Sequence, residues 1–399
     1  MRRLLLIAVL LISLTMAAQD KSYDTFSSKI HQLYSSSTDQ REMIWSELVK
    51  ENQIPFIVHD SVAFLYRGEA HSVKWSGDFN GWGNDKTFNN SGRRISGTDI
   101  WILKTRFPID ARLDYKLIVD DQWLLDPVNP HQQLSGVGGG SPNSEIRMPA
   151  WKRDPITQLN TFVPKGTLRE ELLLTSRTLG YQLTYSLYVP HGIDTNRELS
   201  LPVLYVTDGY EYLHPQMGAM TTILDNLIAS GKIEPVIVVF VDHRDPSNRS
   251  QNRRMQELAM NVRYLHAFVS ELIPEVEKTF RLKTRAATRG ILGTSLGGLT
   301  AAYFAFSRPD VFGLAGIQSP AFWFRPEIYA LCDTVTETSP KVFLTTGTVF
   351  DAKEGVEKMK NILEKNACTF QFKEVNQGHS WGHWKDLIDD ILIYFYAGK

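Results

Sequence analysis

The chain has 399 residues, room for two domains and a substantial core, and its apolar content of 43% and charged content of 22% are those of an ordinary globular protein. A formal net charge of -1 at pH 7 excludes the electrostatic attraction to nucleic acid or anionic lipid that a strongly basic chain would have. The two cysteines, Cys332 and Cys368, lie in no metal or redox spacing, so the sequence implies no metal and no cofactor. In an oxidising compartment they are able to pair, but a fold of this size does not need the staple, and two free, buried thiols are an equal alternative.

Arg2 and Arg3 precede an apolar run from Leu4 to Leu14 and the small residues Ala17 and Ala18. That is the shape of a secretory signal, residues 1–18, too short to span a bilayer comfortably, with an N-terminal anchor as the alternative. It places the protein outside the cytoplasm, secreted or periplasmic, with no membrane attachment after cleavage. Residues 19–54 carry Phe26, Ile30, Leu33 and then Met43, Ile44, Leu48 at helical spacing, broken at Ser35–Asp39 by a turn with an N-cap. They predict a leader of two short helices.

From residue 55 to 150 the pattern becomes short alternating stretches, such as Val62–Tyr66, Ile100–Leu103 and Tyr115–Val119, which predict a small antiparallel sandwich. Two strings in it, Ser76-Gly77-Asp78-Phe79-Asn80-Gly81-Trp82 and Tyr115–Trp123 followed by Asp126-Pro127, resemble the glycogen-binding type of carbohydrate-binding module (family 48), an immunoglobulin-like early-set domain. The resemblance implies that Trp82 and Trp123 stack on sugar rings, with Lys116 and Asn143 as polar sugar contacts. An indole does offer a flat apolar face to a pyranose ring. The competing reading makes Phe79 and Trp82 core residues of a domain that only packs against its neighbour. The Gly-rich stretch Gly136–Pro142 precedes a last strand, Ser144–Met148, so it is a loop of this module, and the boundary falls near Pro149–Pro155.

Residues 151–399 alternate strands and helices. Leu183–Val189 reads as an early antiparallel strand. Val203–Val206, Val236–Val241, Ile291–Leu292, Leu314–Ile317 and Val342–Thr345 are continuous apolar runs that suit parallel strands buried on both faces. Helical patterns between them include Gln251–Phe280, broken near Pro274, and Glu354–Asn366. The fold class is α/β, a doubly wound sheet of the α/β-hydrolase type behind an immunoglobulin-like β-sandwich.

Gly293-Thr294-Ser295-Leu296-Gly297 joins a strand to an apolar helix, the context of a nucleophile elbow with Ser295 as nucleophile. The triad order then requires an acid and a histidine downstream. His379 follows Gly378 just past the strand Phe370–Val375 and is preferred as base over His383, which already opens the last helix (Lys385–Tyr396). Asp351, after the strand Lys341–Thr345, is the candidate acid, with Glu354 the alternative and a helix N-cap the non-catalytic reading. Oxyanion donors are expected at the backbone of Leu296 and of Gly209 or Tyr210. Tyr210, Tyr212, Phe322, Trp323 and Trp381 fall in loops expected to ring the serine. Arg254 and Glu257 read as a structural ion pair.

Leu204–Gly209, Arg254–Leu258, Glu271–Pro274, Gly293–Gly298, Gln318–Trp323 and Gly378-His379 with Trp384 resemble motifs of the esterase family that contains the enterochelin esterases, the feruloyl and acetyl xylan esterases, and esterase D. The resemblance spans Leu183 to the C-terminus and implies a serine-dependent ester hydrolase using Ser295, His379 and Asp351. Enterochelin esterases also carry an N-terminal early-set domain. Three functions follow: a secreted esterase acting on feruloyl or acetyl groups of polysaccharide, a siderophore esterase of the enterochelin type, or a non-catalytic glycan-binding homologue. The partners expected are an ester substrate and a glycan, with no nucleic acid.

Overall fold

The computed structural model describes residues 26–51, 53–135, 141–334 and 339–398. The predicted signal, the first part of the leader and most of the Gly-rich stretch (136–140) lie outside the described residues. The chain divides into two compact units. Unit 1 runs to Gln133 and takes in Pro142–Lys152 and Asn376–Gly378. Unit 2 holds Leu134–Ser141, Arg153–Val375 and His379 onward.

In unit 1 residues 26–35 are helical, and a second helix spans Thr38–Lys50. Ser37 caps it, with the Gln40 side chain accepting the Ser37 N–H at 3.2 Å in a capping box. The strands follow: β1 (Phe56–Val58), β2 (Ser61–Arg67), β3 (Val73–Gly77), β4 (Arg93–Arg94), β5 (Ile100–Arg106), β6 (Arg112–Val119), β7 (Gln122–Leu124), β8 (Gln132–Ser135) and β9 (Ser141–Arg147). They form two antiparallel sheets, ordered β1-β2-β5-β4 and β3-β6-β9-β8, with β7 paired to β6. In β2 five successive residues are buried because both faces are covered. Phe64 points inward, its ring 5.7 Å from Trp75 and 5.1 Å from Tyr115. Ala63 and Leu65 point outward under Leu33, Ile44 and Leu48 of the leader helices. The leader is thus the outer wall of the sandwich, each buried leucine contributing about 1.5–3 kcal/mol.

Unit 2 adds β10 (Thr167–Ser176), β11 (Tyr181–Val189), β12 (Val203–Val206), β13 (Ile237–Asp242), β14 (Arg289–Thr294), β15 (Leu314–Gln318), β16 (Lys341–Gly347) and β17 (Phe370–Val375). One sheet holds all eight, in the order β10-β11-β13-β12-β14-β15-β16-β17. The pairs β10–β11 and β11–β13 are antiparallel and the rest parallel, as the apolar runs predict. Alternation along the strands feeds two cores. Val203, Tyr205 and Ile291 enter one with the helices Leu296–Ser307 and Lys353–Lys365, while Leu204, Val206 and Leu292 enter the other with Met220–Ala229 and Ile388–Tyr396. Strand order reverses beside β12, so the carboxyl ends of β12 and β14 emerge side by side at the switch point where such sheets bind ligands.

Two helix boundaries depart from expectation. The predicted break near Pro274 lies instead around Met260, whose φ of 57° stops the helix Arg254–Leu258 before Val262–Ala267 starts. Pro274 stays inside a helical run because the π-helical turn Phe268–Leu272 precedes it and relaxes the ladder where its N–H is missing. The last helix begins at Ile388, after a short separate one, Trp381–Lys385. Cys332 and Cys368 are free thiols, and Cys332 is buried. Among the described residues no helix is long and apolar enough to cross a membrane.

Candidate active site

β14 stops at Thr294 and the helix starts at Leu296, leaving Ser295 alone at the turn with φ 58° and ψ -117°. Such a backbone costs an L-residue about 1–3 kcal/mol. A Cβ on Gly293 would stand 2.3 Å from the Gly297 carbonyl oxygen, and one on Gly297 would stand 2.4 Å from Thr207 Oγ1. The two glycines are therefore required by the closeness of strand and helix to each other and to the end of β12. Ser295 is held by its backbone on both sides: its N–H donates to Gln318 O at 3.0 Å, and Ala321 N–H donates to its carbonyl at 2.9 Å.

The parallel sheet brings three loops to the same edge. Ser295 Oγ–H donates to His379 Nε2 at 3.0 Å, and His379 Nδ1–H donates to Asp351 Oδ1 at 2.6 Å. His379 follows β17 and is 38% exposed, whereas Asp351, after β16, is fully buried. Burial works to raise the Asp351 pKa. The hydrogen bond and charge of His379, the charge of His383 and the Ser319 hydroxyl outweigh it and hold the carboxyl well below the usual carboxylate range. The acid is thus a carboxylate at neutral pH, able to fix the imidazole tautomer. His383 lies on the far side of Asp351, buried, with Nδ1 3.7 Å from Oδ2, and it is His379 that reaches the serine. Glu354 sits in the first turn of the helix Lys353–Lys365.

Leu296 opens its helix, so its N–H has no intrahelical acceptor. Gly209 and Tyr210 likewise open the helix Gly209–Leu213, in which the Glu211 and Tyr212 N–H groups bond to Asp208 O at 3.0 and 3.1 Å. These are the three amides expected as oxyanion donors.

A cavity of about 290 Å³ lies over the serine, lined by Thr294, Ser295, His379, Asp208, Glu211, Arg254, Trp381 and Trp384. Of the five aromatic residues expected there, the structure brings Trp381 to the cavity. Tyr212 and Phe322 do not reach it: both are fully buried, Tyr212 donating its hydroxyl to Gln318 Oε1 at 2.7 Å and Phe322 packing edge-on to Tyr329. Trp323 is 76% exposed against Phe324. The Tyr210 ring turns the other way, under Arg244 at 3.5 Å.

The cavity also has a charged wall that the sequence did not disclose. Arg254 does not pair with Glu257. Its Nε and Nη2 donate to Asp208 at 2.6 and 2.9 Å. Glu257 instead accepts His243 Nδ1–H at 2.5 Å and the Tyr181 hydroxyl at 2.8 Å, while His243 Nε2 accepts the Asp208 N–H at 3.2 Å. This buried network fixes the loop that carries Gly209 and Tyr210. Among the described residues no group of three or more His, Cys, Asp or Glu side chains is arranged to hold a metal ion.

The family model described as Putative esterase matches residues 176–395, more than half of the chain. The chain belongs to that family. It is 26% identical over 235 residues to the endo-1,4-beta-xylanase/feruloyl esterase of Xylanibacter ruminicola, a stretch covering 57% of this chain and 31% of that protein. It is 26% identical over 262 residues to the iron(III) enterobactin esterase of Escherichia coli O6:H1, covering 58% of this chain and 60% of that one. The chain thus spans less than two thirds of either curated relative. The crystal structure of the enterobactin esterase FES from Shigella flexneri in the presence of enterobactin superimposes with a TM-score of 0.68 at 21% identity, over 84% of this chain and 92% of that one. That likeness gives the fold, an α/β-hydrolase preceded by a β-rich domain.

In the sandwich of this esterase-family chain, Trp82 and Trp123 are 37% and 49% exposed, with rings stacked at 6.3 Å and 28°. Trp123 pairs across the ladder with Ile118, so Lys116, two residues along β6, shares its face. Asn143, two residues from Glu145, which pairs with Asp114, lies on the same face. It is buried and donates to Asp114 Oδ2 at 3.1 Å. Phe79 is core, while Trp82 is tethered through Nε1 to Asp78 at 3.2 Å.

Proposed function

We propose that the chain is a serine carboxylic ester hydrolase acting through Ser295, His379 and Asp351. One observation carries the reading: an unbroken hydrogen-bonded line from Ser295 Oγ through both His379 nitrogens to a buried carboxylate. His379 Nε2 takes the serine proton as Oγ attacks the ester carbonyl, and Asp351 stabilises the imidazolium. The oxyanion is met by the N–H of Leu296 and of Gly209 or Tyr210. The same Nε2 proton passes to the leaving alkoxide, and water, deprotonated by His379, releases the acid from the acyl-serine.

For the substrate we propose carbohydrate-linked feruloyl or acetyl esters, with the protein secreted or periplasmic. The exposed Trp82–Trp123 stack supports the carbohydrate, and the basic and apolar N-terminus supports the address. A second reading, a catecholate siderophore trilactone, is favoured by the fold match that extends over 84% of the chain rather than the hydrolase segment alone. Release assays on methyl ferulate, acetylated xylan and a catecholate trilactone separate the readings. Turnover of the trilactone with none of the first two would remove the carbohydrate reading, and turnover of no ester would remove both.

A further inference from the structure

The segment Gln318–Ala321, at the end of β15, contacts both the nucleophile and the acid, and we propose that Ser319 within it is a positioning residue for the acid. Its hydroxyl, set by the Trp384 indole, fixes the rotation of the Asp351 carboxylate so that Oδ1 faces His379. The inference rests on the Ser295–His379–Asp351 reading above.

Ser319 Oγ–H donates to Asp351 Oδ2 at 2.7 Å, while Trp384 Nε1–H donates to Ser319 Oγ at 3.0 Å. The indole occupies an acceptor position on the oxygen and leaves its one proton for the acid. Oδ2 also accepts from Thr346 Oγ1 at 3.2 Å and from the Gly347 N–H. With that oxygen committed, Oδ1 alone remains for His379. The brace has a competitor to hold off, since His383 Nδ1 lies 3.7 Å from the same Oδ2.

The other contacts of the segment tie the brace to the rest of the site. Ser319 N–H donates to Thr345 O on β16 at 3.0 Å, and Gln318 O accepts the Ser295 N–H. The Gln318 side chain donates to Trp384 O at 2.9 Å. The Trp384 ring stands edge-on to His379 at 4.9 Å. One tryptophan therefore touches the base and sets the hydroxyl that orients the acid. Ser319 is fully buried at φ 40°, where a glycine would sit with less strain. The side chain, rather than the backbone, is what the position uses.

Ser319→Gly relieves the backbone and removes the hydroxyl, and Ser319→Ala removes the hydroxyl alone. Both, in the full-length chain on p-nitrophenyl acetate, are expected to lower kcat by roughly tenfold to a hundredfold, the range set by small misplacements of reacting groups. KM should stay within about twofold, since no substrate contact changes. Titration with a fluorophosphonate corrects for the fraction of folded sites, and melting temperature identifies a merely structural loss. Ser319→Gly with kcat per titrated site within threefold of the parent overturns the inference, as does a loss confined to Ser319→Ala. Ser295→Ala run alongside separates the two levels. Activity surviving there sinks the triad reading itself, whereas an inactive Ser295→Ala beside a fully active Ser319→Gly sinks only the role of Ser319.

Discussion

Replacing Asp351 by Asn changes one atom, yet the structure predicts a loss of about four orders of magnitude in kcat, near 5.4 kcal/mol. The carboxylate meets four donors: His379 Nδ1–H on Oδ1, and Ser319 Oγ–H, Thr346 Oγ1–H and the Gly347 N–H on Oδ2. An asparagine has a single carbonyl oxygen for these four. Three of them converge on the Oδ2 side, so the amide oxygen settles there and its NH2 turns to His379. Two N–H groups cannot face each other, and the imidazole moves its proton to Nε2. The nitrogen 3.0 Å from Ser295 Oγ then carries a hydrogen and cannot take the serine's. Steady-state kinetics on p-nitrophenyl acetate, with a thermal melt to show an intact fold, measure the effect. A drop below tenfold would refute the reasoning and point to a Ser–His dyad or to another acid.

Other expectations follow from the same geometry. His379→Ala should abolish turnover nearly completely, while His383→Ala should cost less than about tenfold, since it touches neither the serine nor the reacting atoms; kcat for the two variants compared side by side checks this. Trp82→Ala with Trp123→Ala should weaken retention in glucan or xylan affinity gels and leave p-nitrophenyl acetate hydrolysis unchanged. Because both rings are partly exposed, the stability cost in a urea titration should fall below the roughly 3–5 kcal/mol of an emptied core tryptophan site. Burial and the charges of Asp390 and Asp154 push Asp389 up to about 7. The native state therefore holds that proton more tightly than the unfolded chain. The resulting stability is fully present below the ordinary carboxyl range and is lost as pH rises through about 7. Asp389→Asn should then be more stable than the parent by about 1–3 kcal/mol at pH 8 and no different near pH 4. Equal gains at both values would contradict that assignment.

Much of the fold was legible because the physics leaves a local trace. Strands buried on both faces carry continuous apolar runs, as in Val203–Val206 of β12, Ile237–Val241 of β13 and Val342–Leu344 of β16. The sharp turn at Ser295 leaves no room for side chains at Gly293 or Gly297, so it is written as glycine. A parallel sheet delivers every strand's carboxyl end to one edge, which put Asp351 and His379 within reach of the serine from strand order alone. The rest depended on direction, which spacing does not record. Arg254 and Glu257 stand three apart on one short helix, yet each turns to a partner on another element, Asp208 and His243. Tyr212, Phe322 and Trp381 all lie in segments that follow strand ends near the serine, and only the packed structure separates the two that face the core from the one that lines the cavity. Asn143 followed its motif to the face it shares with Lys116, but there it is buried and its amide turns to Asp114. Ser319 lay in a recognisable string, Gln318–Trp323, but its role was not legible, because a serine there becomes informative only once Asp351 and Trp384 are seen around it.

Catalysis by this triad requires that Ser295 form a covalent acyl intermediate. Mixing the protein with p-nitrophenyl acetate, quenching in acid within milliseconds and mapping peptides by mass spectrometry tests it directly. The expected result is an acetyl group on the peptide containing Ser295, a matching burst of p-nitrophenol, and loss of both in Ser295→Ala. Hydrolysis that continues in Ser295→Ala at a tenth of the parent rate, or an acetyl group that accumulates on another residue, would contradict it.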